Sequence, residues 1–173
     1  MNKEIVLGGG CFWCLEATFA MVRGILSVTS GYSGGRINNP TYEMVCGGLS
    51  GHAEVVRLKY DDRIITSKDV LRLFFALHDP TTPDRQGNDI GPQYRSVIFY
   101  SDEEQKQISL EAMEEVQSEL SMPLSTELIP LERFYAAEDH HQNYYRRNTN
   151  QAYCRAVIAP KLKKLLHEHQ ELL

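Results

Sequence analysis

An α+β fold built on a mixed sheet is what this sequence predicts, on three observations. Strand-like and helix-like segments intermix along the chain without strict alternation. Residues 52–60 switch side-chain character with a period of two, the mark of a strand. Other segments place apolar residues three and four apart, as amphipathic helices do. With 173 residues, 42% of them hydrophobic and 24% charged, the chain suits one globular domain over 1–173 with a single core.

Residues 3–8 read as a short buried strand that runs into Gly8-Gly9-Gly10. A helix is expected over 11–23, with Phe12, Leu15, Phe19 and Val22 along one side. Residues 25–32, carrying Ile25, Val28 and Tyr32, form a second strand. Residues 33–51, rich in Gly, Asn, Pro and Ser, read as a long functional loop. On the strand over 52–60, Ala53, Val55, Arg57 and Lys59 point one way and Glu54, Val56, Leu58 and Tyr60 the other. A helix at 67–78 takes Ser67 as N-cap and turns Val70, Leu71, Phe74 and Leu77 inward. After a polar stretch at 79–94 comes a strand at 96–100. Ser101-Asp102-Glu103-Glu104 then reads as a capping box, opening a helix whose stripe is Ile108, Ala112, Met113, Val116 and Leu120. A strand at 124–129, a partly helical piece at 134–145 and a basic helix from Pro160, built on Leu162, Leu165 and Leu166, complete the chain.

A net charge of −5 without a basic stripe argues against nucleic acid as a partner. No apolar run approaches bilayer length, and Met1-Asn2-Lys3-Glu4 lacks the basic leader of a secretory signal. The expectation is a cytoplasmic protein with no membrane partner. Cysteines stand at 11, 14, 46 and 154, too sparse for a disulfide scaffold. In a reducing compartment such thiols are catalytic, redox-active, metal-binding or simply buried.

The densest chemistry lies in Gly8-Gly9-Gly10-Cys11-Phe12-Trp13-Cys14-Leu15-Glu16. An ordinary thiol is only about 3% ionised at pH 7. A helix N-terminus favours the thiolate, so Cys11 is expected to ionise readily and act as a nucleophile. The opposing reading, a buried structural cysteine, is outweighed by the glycine run, which lets another molecule approach. Phe12 and Trp13, the only tryptophan, could wall a small apolar pocket or merely fill the core. Glu54, on the apolar face of its strand, is either a desolvated general acid or a salt-bridge partner of Arg57 or Arg95. Asp89 reads first as turn chemistry, and Tyr42 and Tyr94 are two of nine tyrosines. His52, His140 and His141 lack the spacing of a zinc site. Competing functions are a thioredoxin-like dithiol–disulfide oxidoreductase using Cys11 and Cys14, a cysteine hydrolase using Cys11 with His52 or His140, and a metal-binding module.

With these residues laid out, the chain resembles the A-type peptide methionine sulfoxide reductases over essentially its whole length. The likeness rests on Gly10-Cys11-Phe12-Trp13 with Glu16, Gly31-Tyr32-Ser33-Gly34-Gly35, Pro40-Thr41-Tyr42-Glu43, Val45-Cys46, Gly51-His52-Ala53-Glu54 and Gln86-Gly87-Asn88-Asp89 with Gln93-Tyr94-Arg95-Ser96. Glu138-Asp139-His140-His141-Gln142 and Tyr153-Cys154 extend it. The resemblance implies an α/β roll around a mixed sheet flanked by helices, related to the ferredoxin-like plait. It implies reduction of the S epimer of methionine sulfoxide, free or in proteins. Cys11 would be the nucleophile, Glu54 the acid, Phe12 and Trp13 the wall for the substrate methyl, Tyr42 and Tyr94 hydrogen-bonding companions, and Asp89 a substrate-orienting residue.

Attack on the sulfoxide would leave a sulfenic acid on Cys11, which a second thiol must condense with. Cys14, one helical turn away, stands where the common motif has glycine. Cys154 matches the C-terminal resolving cysteine of many relatives. Of the two, Cys14 is preferred, because the tail lacks the glycine-rich segment of relay-type members, and Cys46 is read as structural. The resemblance implies an external dithiol, thioredoxin, as reductant. No bound cofactor or metal is expected, and the protein is expected to be a monomer.

Overall fold

A computed structural model describes all 173 residues. The chain runs β1 (Asn2–Gly8), α1 (Phe12–Phe19), β2 (Ile25–Ser33), α2 (Tyr42–Cys46), β3 (Ala53–Asp61), α3 (Ser67–Ala76), β4 (Arg85–Gln86), β5 (Asp89–Ile90), β6 (Val97–Tyr100) and α4 (Glu103–Glu119). It continues through β7 (Glu127–Pro130), β8 (Tyr135–Ala136), α5 (Tyr144–Arg147) and α6 (Ala159–Glu168), the last preceded by a π-helical turn over Cys154–Ile158. The six-stranded sheet has the order β7-β6-β1-β3-β2-β8. Only β6 and β7 pair in parallel; the other four pairs are antiparallel, so the sheet is mixed as the sequence predicts. Within it, β1-α1-β2-β3-α3-β6 with strand order β6-β1-β3-β2 is the ferredoxin-like plait.

Strand alternation sorts the side chains onto two faces. Ile5, Leu7, Tyr32, Val56, Leu58 and Tyr60 join residues of α1, α3, α4 and α6 in the main core. Val6, Ala53, Val55, Val97 and Phe99 form a smaller cluster on the opposite face, covered by Ile129, Leu131 and Phe134. Glu54 therefore points to the helix-covered face, as its register with Val56 and Leu58 requires.

Several local expectations shift. Helix α3 is capped by Thr66, whose hydroxyl accepts from Asp69 N–H at 3.1 Å, and Ser67 is its first residue. The capping box lies one residue later than expected: Asp102 accepts from Gln105 N–H at 2.8 Å, and Gln105 Oε1 accepts from Ser101 N–H at 2.9 Å. On α4 the fully buried stripe is Gln105, Ser109 and Ala112. Its polar members are satisfied, with Gln105 Nε2 donating to Glu4 O and Ser109 Oγ donating to Gln105 O. Leu166 is exposed, and α6 buries Leu165 alone. The loop over 33–51 holds α2, and the stretch over 79–94 holds the β4–β5 hairpin and a 3-10 turn at Pro92–Tyr94. Both were masked by their Gly, Asn and Pro content.

Candidate active site

Strand β1 delivers the chain into its glycine turn at the edge of the helix layer. A side chain on Gly9 would press the His78 ring at 3.0 Å. Gly10 holds φ +95° with Gln86 Cγ 2.7 Å from where its Cβ would lie. Backbone without a side chain is the only kind that fits this turn. Cys11 follows in extended conformation (φ −60°, ψ 127°) as the N-cap of α1, and its carbonyl accepts from Cys14 N–H at 3.1 Å. No side chain of the usual capping type is present. Instead the first N–H of the helix, on Phe12, donates to Glu54 Oε1 at 3.2 Å. Two segments distant in sequence are thus joined at the helix end, where a carboxyl group is favoured.

Glu54 is 1% exposed. Burial pushes its carboxyl up to about 8, overriding the opposite pull of the Phe12 N–H. Its other oxygen, Oε2, is buried without any hydrogen-bond partner. The salt-bridge reading fails, because Arg95 pairs with Glu127 at 3.2 Å and Arg57 lies over the Phe134 ring on the opposite face. At pH 7 the Glu54 carboxyl is mostly protonated, and it has a vacant hydrogen-bonding position.

Cys11 departs from expectation in one respect. The Trp13 N–H favours its ionised form, as a helix end should. Burial, the hydrogen bond with Cys14 and the Glu54 charge nonetheless hold the thiol well above its ordinary value. At 7% exposure, desolvation outweighs the helix end. The partner thiol goes the other way. The Cys11 hydrogen bond lowers Cys14 to about 7, against its own burial and with help from the Lys161 charge. The two sulfurs titrate as a pair, and Cys14 is the more readily ionised of the two.

Around this pair stands an aromatic enclosure. The Trp13 ring stacks on Tyr144 with centroids 3.7 Å apart, and Phe12 and Trp13 each lie 6.2 Å from Tyr42. His141 stacks on Tyr42 at 4.2 Å and accepts the Trp13 indole N–H on Nδ1 at 3.3 Å, which places its own proton on Nε2, buried and unpartnered. Glu138 seats this enclosure by accepting from Tyr32 Oη at 2.9 Å and Tyr42 N–H at 3.1 Å. Glu16 fastens the strap carrying His141 and Tyr144, accepting from Ser30 Oγ and Tyr144 N–H, both at 3.2 Å. Burial and the Glu54 charge hold Tyr94 above its ordinary value. Tyr42 is raised by burial, by its bond to Cys46 and by Glu54. Both hydroxyls stay protonated near Glu54 and can donate. Cys46, read as structural, lies close enough to Tyr42 for each to shift the other.

Asp89, at the end of the β4–β5 hairpin, accepts from Tyr153 Oη at 2.7 Å, and that hydroxyl lies 3.9 Å from Cys14 Sγ. A cleft of about 720 Å³ between this hairpin and the C-terminal segment reaches Cys11. Cys154 is fully buried in the π-helical turn, near enough to Cys14 to feel its charge. All nine residues anticipated from sequence therefore gather in one region. The sequence reading missed His141, Tyr144, Tyr153 and Glu138 as site members. His141 and Glu138 stand in one of the quoted motifs and Tyr153 adjoins Cys154, but their contacts span most of the chain. The hydrolase reading lacks a base: His52 bonds Gly35 N and Ile37 O, and His140 is exposed. No group of three or more His, Cys, Asp or Glu side chains is gathered as a metal site requires.

A nucleophilic thiol, a second thiol and a protonated carboxyl in one enclosed space are the working parts of a thiol-dependent oxidoreductase. The sequence pattern of the family described as peptide methionine sulfoxide reductase matches residues 3–172. A peptide methionine sulfoxide reductase MsrA from Sulfolobus acidocaldarius is 53% identical over 160 residues, covering 92% of this chain and 91% of its own. The reduced form of Mxr1 from Saccharomyces cerevisiae superposes with a TM-score of 0.84 at 33% identity, covering 88% of this chain and 89% of its own. Mxr1 in complex with Trx2 superposes at 0.60 with 25% identity, covering 83% and 84%. The chain belongs to the peptide methionine sulfoxide reductase family, oxidoreductases that return methionine sulfoxide to methionine.

Proposed function

We propose that this chain, as a single catalytic domain, reduces the S epimer of methionine sulfoxide, free or within polypeptides, at Cys11. The observation that carries the assignment of roles is Glu54 Oε2, a buried carboxyl oxygen with no partner beside a buried thiol. A sulfoxide oxygen is a very poor leaving group unless it is protonated. Glu54 donates a proton to that oxygen while Tyr42 and Tyr94 donate hydrogen bonds, and Phe12 and Trp13 hold the methyl group. Asp89, through Tyr153, orients the rest of the substrate.

The electron count runs through Cys11. As its sulfur bonds to the sulfoxide oxygen, its proton passes to Cys14, the S–O bond of the substrate breaks and methionine leaves. Cys11 is left as a sulfenic acid, oxidised by two electrons. Cys14 then attacks the Cys11 sulfur, and the hydroxyl departs as water with the Cys14 proton, leaving a Cys11–Cys14 disulfide. An external dithiol reduces it, and the Trx2 complex of the yeast relative supports thioredoxin in that role. Cys154 is the alternative resolving thiol, but full burial in a helical turn leaves it less free than Cys14 to reach Cys11.

Four free thiols suit a reducing, cytoplasmic compartment, and no helix is long and apolar enough to cross a membrane. The test is dithiothreitol-supported turnover of each epimer separately. Methionine should form from the S epimer only; turnover of the R epimer alone, or of neither, would overturn the reading.

A further inference from the structure

The cleft that reaches Cys11 has two walls. One is the hairpin tip, with Gln86 and Asp89; the other is the C-terminal segment, apolar at Ala156, Val157 and Pro160 and ending at Lys161. Lys161 is the only cationic side chain on its lining. The one carboxylate there, Asp89, is already occupied by the Tyr153 hydroxyl at 2.7 Å. Lys161 forms no ion pair, whereas Lys164 on the same helix reaches Glu168 at 4.0 Å. It is half-buried, and its side chain lines the cleft. An unneutralised cation in a cleft bounded by low-dielectric walls favours a negative group on whatever enters.

We propose that Lys161 is a specificity determinant that pairs with a carboxylate of the substrate, rendering the enzyme selective for acidic sulfoxide substrates. The proposal rests on reduction at Cys11 through this cleft. Two sources supply such a group: the α-carboxylate of free methionine sulfoxide, and an Asp or Glu side chain flanking the oxidised residue in a polypeptide.

The test compares single-turnover rates, per enzyme concentration, for one peptide scaffold bearing Asp, Asn or Lys beside S-methionine sulfoxide, and for free S-methionine sulfoxide against its amide. Each preference is a ratio of two substrates on the same enzyme, so the Lys161 charge felt at Cys14, which takes the Cys11 proton, cancels from the comparison. A partly exposed ion pair predicts a preference of about two- to fivefold for the carboxylate-bearing member. Lys161→Met should erase it and Lys161→Glu should reverse it. Preference among the peptides identifies the flanking side chain, and preference for the free acid over its amide identifies the α-carboxylate. Equal rates throughout in the wild type, or preferences unchanged in both variants, would overturn the role of Lys161. Failure of the wild type to reduce any of these sulfoxides would instead overturn the reading of the site itself.

Discussion

Glu54 holds the backbone N–H of Phe12 on one carboxyl oxygen at 3.2 Å and leaves the other, equally buried, with nothing to bond. The first oxygen fixes the acid to the start of the helix that presents Cys11. The second is the position a sulfoxide oxygen can take. This contact ties the acid to the helix that begins at the nucleophile, and disturbing it should disturb chemistry before stability.

Glu54→Gln retains the acceptor for Phe12 and removes the transferable proton. Sulfenic acid formation should slow by about two to four orders of magnitude, read as methionine produced in a single turnover. In the wild type that step should fall as pH rises through about 8, because the raised carboxyl is the active form below that value and its conjugate base is not. The limb should vanish from the Gln variant. An unchanged single-turnover rate in that variant would remove Glu54 from the chemistry.

The indole of Trp13 depends on an unprotonated His141. Burial, with the neighbouring His140 charge, keeps His141 below the usual histidine range, although Glu138 and Glu43 pull the other way. It is therefore neutral at pH 7. Acidification below the usual histidine range should protonate Nδ1 and break the bond to Trp13. The chain has one tryptophan, so its emission reports the event directly. His141→Leu should abolish the acid transition and raise KM more than it lowers kcat, whereas a transition that persists in the variant would assign it to another group.

Cys14→Ser should block disulfide formation with Cys11 and slow release of the first methionine, because the group that takes the Cys11 proton is gone, without abolishing it. Cys154→Ser should leave both steps nearly intact. Mass spectrometry after one equivalent of sulfoxide distinguishes them: a Cys11–Cys154 bond in the wild type would assign the resolving role to Cys154.

Gly10→Ala places a methyl group 2.7 Å from Gln86 Cγ in backbone at φ +95°. A loss of about 1–3 kcal/mol is expected. Thermal denaturation should show a drop of about 2–4 °C per kcal/mol for a chain of this size. Activity should fall further than stability accounts for, because the same turn aims Cys11. A Tm equal to that of the wild type would mean the turn relaxes freely.

How far the sequence could be read depended on the range of the interaction involved. Period-two alternation put Glu54 on the apolar face of β3 because side-chain direction in a strand is local geometry. The glycine run and the following amphipathic segment located Cys11 at a helix start for the same reason. Caps were read one residue late at Ser67 and one residue early at Ser101, where the adjacent polar residues Thr66 and Asp102 won by reaching the third N–H of the helix. The short helix α2 and the β4–β5 hairpin have too few residues to show a period at all.

The longer strands and helices, the face of β3 that carries Glu54 and the place of Cys11 at a helix start were determined by the sequence alone, through patterns that each segment carries within itself. The charge state of the thiol pair, the bond between Trp13 and His141, and the access route past Tyr153 were decided only by tertiary structure. Ionisation depends on how much water is excluded, and that exclusion is made by side chains brought from positions as far apart as 11, 54, 89, 141 and 153. Chain-local patterns carry no record of that sum.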